Sequence, residues 1–80
     1  MDDLHVDGKP IFITAHAVKR ARERKIAYPD QVYRALRTGK IRRFGKRGVK
    51  FVSMSKRGSV ICVGYDSGYS IIIETIERGN

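Results

Sequence analysis

The chain has 80 residues, one cysteine and a formal net charge of +9, with 17 Lys and Arg against eight acids. That length makes one domain, 1–80, with a small core. The lone cysteine excludes an internal disulfide, and no apolar run approaches the ~20 residues of a membrane-spanning helix. Without a basic secretory start, a soluble, cytoplasmic protein is expected.

Residues 1–9 are polar and expected to be flexible. The short apolar run 10–13 reads as a first strand or as a plug for the core. Thr14 suits a helix N-cap, and helix one is expected over about residues 15–25 with a narrow stripe of Ala17, Val18 and Ala21. After a link at 26–28, helix two opens with Pro29 in its first turn and Asp30 at the positive end of its dipole. Val32, Ala35, Leu36 and Gly39 follow on one face, and Gly39 suits a left-handed helix end.

The remainder reads as strands. Residues 41–44 alternate, 45–48 turn, 49–55 form a half-buried strand and 56–58 turn again. Residues 59–65 are apolar on both faces, like a central strand, and include Cys62 as a buried structural thiol. A hairpin loop at 66–68, with Gly68 at positive φ, leads into the last strand at 69–76. Loops this short demand an antiparallel meander. The expected architecture is α+β, two N-terminal helices packed on one face of a twisted, mostly antiparallel sheet, with Leu36 and Ile72 in the core between them.

Charge is unevenly placed. Residues 15–50 carry 13 Lys and Arg against two acids, whereas the rest of the chain has four basic residues and six acids. One strongly basic side is the footprint of a nucleic-acid binder; an acidic protein partner is the alternative. His16, Arg20 and Arg24 stand at i, i+4 and i+8, along one helix face. Imidazole moves protons near neutral pH and guanidinium forks match phosphate oxygens, so the row suits metal-free RNA cleavage by 2′-hydroxyl attack. The competing reading is a solvated face with a capping histidine. Arg42, Arg43, Lys46, Arg47 and Lys50 surround Phe44 on a hairpin that suits phosphate contacts and base stacking, or simply a solvated turn guarding a sheet edge. Lys19 adds to the basic helix, and Tyr65 and Tyr69 flank a turn where they stack on bases or close the hairpin. His5 and His16 are far apart, with one cysteine and dispersed acids, so neither a metal nor another cofactor is expected. Gly39, Gly45 and Gly48 are turn glycines, not a phosphate loop.

The run His16-Ala17, Arg20, Glu23-Arg24, Ile26, then Val32, Ala35 and Leu36, resembles the HA-xx-R-xx-ER-x-I…V-xx-AL opening of a small uncharacterised-domain family related to the BrnT and RelE ribonuclease toxins. Residues 73–77 look like that family's closing strand, and the resemblance spans about residues 13–77. It implies the order β-α-α-β-β-β-β and a metal-independent endoribonuclease with His16, Arg20, Arg24 and Thr75 at its site. Together with the basic segment it points to a toxin whose partners are RNA, with DNA as the alternative, and an acidic antitoxin; a monomer or homodimer is expected. Two positions depart from the family's pattern: Tyr28 replaces a capping serine or threonine, and Lys25 stands where glycine is common.

Overall fold

The computed structural model describes residues 4–56 and 58–79. Its elements are β1 (His5–Val6), β2 (Lys9–Ile13), α1 (Ala15–Glu23), α2 (Asp30–Thr38), β3 (Lys40–Phe44), β4 (Gly48–Ser55), β5 (Gly58–Asp66) and β6 (Ile71–Gly79). They form one six-stranded sheet in the order β1-β2-β6-β5-β4-β3. β2 and β6 run parallel; the other neighbours are antiparallel. α1 packs against β6, and α2 against β4 and β5, on the same face.

The α+β class is as expected, but two strands precede the helices rather than one. Asp7 (φ 53°) and Gly8 (φ 77°) close a tight hairpin that pairs Val6 with Lys9. Asp-Gly with positive φ at both positions is a favoured two-residue hairpin turn. Of the segment expected to be flexible, residues 1–3 lie outside the described residues, while Val6 is buried against the core. Arg57 of the expected 56–58 turn also lies outside them.

Thr14 caps α1 as expected: its Oγ1 accepts from the Ala17 N–H at 3.1 Å. The helix ends at Glu23, two residues early. The Ile26 N–H donates to the Ala21 carbonyl (2.8 Å) and the Lys25 N–H to the Arg22 carbonyl (3.1 Å). This is the Schellman closure, and it places Lys25 in the left-handed region at φ 57°. Ala17 and Ala21 are buried, whereas Val18 is half-buried.

Pro29 occupies the N-cap position of α2, outside the first turn, and provides no side-chain cap. The Ala27 carbonyl takes the free first-turn donors instead, accepting from the Gln31 N–H at 2.9 Å and the Val32 N–H at 3.4 Å, and Gln31 Oε1 in turn accepts from the Ala27 N–H at 2.7 Å. Val32, Ala35 and Leu36 are buried as their spacing predicts. Gly39 is extended (φ −69°, ψ 158°), not left-handed. Glycine is needed there because a Cβ would collide with the Ala35 carbonyl oxygen and stand 3.0 Å from that of Val52.

On β6, Val63 pairs with Thr75 and Gly64 with Ile73, so Glu74 is an extra residue that shifts the strand's phase. Ile71, Ile73 and Ile76 therefore face the helices and are fully buried. Ile72 does not lie in that core; it points to the helix-free face and is half-buried. Cys62 is buried beside these isoleucines, and burial pushes its thiol up to about 12.

Candidate functional site

Residues directly opposite one another in a sheet project to the same side. The register thus divides the helix-free face into rows. One row runs Phe12, Ile72, Tyr65, Gly48, Phe44. The next holds Thr75, Val63, Lys50 and Arg42. A third holds Glu77, Ile61, Val52 and Lys40. Lys46 and Arg47 stand on the turn beyond Phe44 and Gly48, on the other side of the first row.

Phe44 is fixed by what is missing beside it. A Cβ on Gly48 would run into the Phe44 ring and lie 2.6 Å from its Cζ, so the ring rests on bare backbone. It remains 47% exposed, with Tyr65 at 37% and Phe12 at 55%. Among the described residues, no ion pair engages Lys40, Arg42, Lys46, Arg47 or Lys50.

Arg43 departs from the expected basic hairpin, because β-strand alternation turns it to the helix side. There its Nη1 lies 3.0 Å from Asp66 Oδ2 and its Nη2 3.6 Å from Asp7. Lys9 Nζ reaches the same Asp66 oxygen at 2.8 Å, and the Gly68 N–H donates to the other at 2.8 Å. These links join residues from the β1–β2 side of the sheet to β3 and the end of β5 on the helix side. Asp66 is only 12% exposed at its side chain. The Lys9 ammonium first, then the Gly68 N–H and the Arg43 guanidinium, hold its carboxyl well below the usual carboxylate range.

On α1, the Arg20 Nε–H donates to His16 Nε2 at 3.3 Å, and Arg20 Nη1 pairs with Glu23 at 3.0 Å. His16 and Lys19 are exposed. Arg24 is the C-cap residue, one position beyond the helix, and half-buried. Thr75 pairs with Val63 on the helix-free face, so the sheet does not present it to the α1 row. The four residues grouped by the resemblance are thus divided between two faces. Tyr65 and Tyr69 also separate: Tyr65 joins the aromatic row, while Tyr69 projects from the loop tip, 89% exposed.

Sequence reasoning missed Phe12 and Lys40. Their signal is strand phase: Phe12 alternates with the inward Ile11, and Lys40 shares phase with Arg42. Among the described residues, no three His, Cys, Asp or Glu side chains cluster to hold a metal ion, and no helix is long and apolar enough to cross a membrane. No protein-family model, curated protein or solved structure matches the chain.

Proposed function

We propose that this domain binds RNA through the helix-free face of its sheet, with Arg42, Lys50, Lys40 and the Lys46–Arg47 turn contacting phosphates. The observation that carries this reading is a set of cations free of ion pairs among the described residues, with Arg42 and Lys50 beside the exposed aromatic rings, Lys40 one row further, and Lys46 and Arg47 on the exposed turn at the end of the row. Cations that already have carboxylate partners, such as Arg43 and Arg20, give up those contacts to engage phosphate, so they contribute less. Binding by titration of a labelled RNA oligomer should weaken steeply with salt. The log–log slope should be about −0.7 per phosphate contacted on a single strand. Affinity indifferent to salt contradicts the reading. A parallel DNA oligomer tests whether the 2′-hydroxyl contributes.

The His16–Arg20 contact favours a second reading, a metal-independent endoribonuclease of the toxin class, held in check by an acidic antitoxin on the basic face. In that reading His16 takes the proton of a 2′-hydroxyl, or donates one to the departing 5′-oxygen, while Arg20 holds the phosphate between them. The product strand ends in a 2′,3′-cyclic phosphate. His16→Ala should then slow cleavage roughly 10²–10⁴-fold while binding persists. Cleavage that survives this substitution removes His16 from the chemistry.

A further inference from the structure

The geometry points to single-stranded nucleic acid as the ligand of the helix-free face, its unstacked bases lying on Phe44, Tyr65 and Phe12. This inference rests on the nucleic-acid reading above and adds a ligand class to it. Phe12 and Tyr65 are separated by one strand, as are Tyr65 and Phe44. Two strand spacings place the Cα atoms of successive aromatic residues roughly 9–10 Å apart, and the Phe44 ring leans over Gly48 toward Tyr65. In a duplex each base face is already covered by its neighbours. A single strand leaves base faces free, and base–aromatic stacking tolerates any sequence.

Charge supports the same occupant. Arg42 and Lys50 stand one row to one side of the rings, and the exposed turn that carries Lys46 and Arg47 lies beyond their other side. Bases on the aromatic row leave their phosphates within reach of Arg42 and Lys50. The Phe44 ring is already held over Gly48, so little rotamer freedom is lost on binding. Docking a second copy of this +9 chain through the same face would set like charges against each other, which disfavours a dimer there.

The test measures fluorescence anisotropy of labelled oligo(U), oligo(dT) and an RNA duplex of equal length. Wild type is compared with Phe44→Leu, Tyr65→Leu and the double variant, with circular dichroism checking that each is folded. Oligomers should bind at least tenfold more tightly than the duplex. Each single variant should lose about five- to 150-fold on the oligomers and little on the duplex. Equal binding of oligomers and duplex, with unchanged affinity in folded variants, overturns the stacking inference and leaves the phosphate reading standing. Wild type that binds none of the three overturns both. A wild-type dimer by light scattering that the double variant abolishes also overturns it, because the face is then a self-interface.

Discussion

Arg43 Nη1 stands 3.0 Å from Asp66 Oδ2, and this contact divides the basic hairpin in two. Arg42, its neighbour in the chain, faces the helix-free side with Lys50, while Arg43 helps close the helix side. The hairpin's cations are therefore placed differently: Arg43 ties β3 to Asp66 and Asp7 on the helix side, and Arg42 is left facing solvent on the other.

Asp66 should accordingly govern acid stability. Its carboxyl titrates below its ordinary range because Lys9, the Gly68 N–H and Arg43 all favour the charged form. A carboxyl whose folded value lies below its unfolded one, about 3.9, stabilises the fold above that pH and loses this contribution as pH falls further. Thermal melts of Asp66→Asn should show a lower Tm than wild type at pH 7. The gap should narrow as pH drops below about 4. Parallel profiles for the two proteins would show that Asp66 is not the acid-sensitive group.

Lys25 should be a site of simple stabilisation. Its φ of 57° places a Cβ-bearing residue where glycine is favoured at the end of α1. The left-handed conformation costs a non-glycine residue roughly 1–2 kcal/mol, partly offset by the greater unfolded-state freedom of glycine. Lys25→Gly should therefore gain about 0.5–1 kcal/mol, seen as a rise of a few degrees in Tm. An unchanged or lower Tm contradicts this.

The phase of β6 has its own test. Ile73 is fully buried against the helices, and Ile72 lies half-buried on the opposite face. Ile73→Ala and Leu36→Ala should each cost about 2–5 kcal/mol in chemical denaturation, a large part of what a domain this small has. Ile72→Ala should cost well under half as much, since it leaves no enclosed cavity. Equal losses at positions 72 and 73 would mean the strand is phased differently.

Much of this fold was legible in the sequence. The i, i+3, i+4 spacing of Val32, Ala35 and Leu36 identified the buried face of α2, and Thr14 identified the start of α1. The β1–β2 hairpin is legible through Asp7-Gly8, but with β1 only two residues long its alternation carries almost no signal. The phase of β6 was not legible. Ile71, Ile72 and Ile73 are equally apolar, and the bulge at Glu74 changes which side follows. The candidate site failed to resolve for a related reason. Composition gathers cations, but only strand alternation and a carboxylate 23 residues away separate Arg43 from Arg42. Likewise, spacing put His16 and Arg20 on one helix face, yet could not show that Thr75 lies across the sheet.

The most direct test of the account compares two charge reversals of equal size on opposite sides of the molecule. Arg42→Glu with Lys50→Glu alters the helix-free face; Lys19→Glu with Arg22→Glu alters exposed positions of α1 and changes net charge by the same amount. Binding of a labelled single-stranded RNA oligomer is measured for both at one low salt concentration. The account predicts that the sheet pair loses roughly 10²-fold or more, through lost phosphate contacts and new repulsion, while the helix pair changes only severalfold through net charge. Equal losses, or a larger loss from the helix pair in folded protein, would contradict the assignment of the binding face.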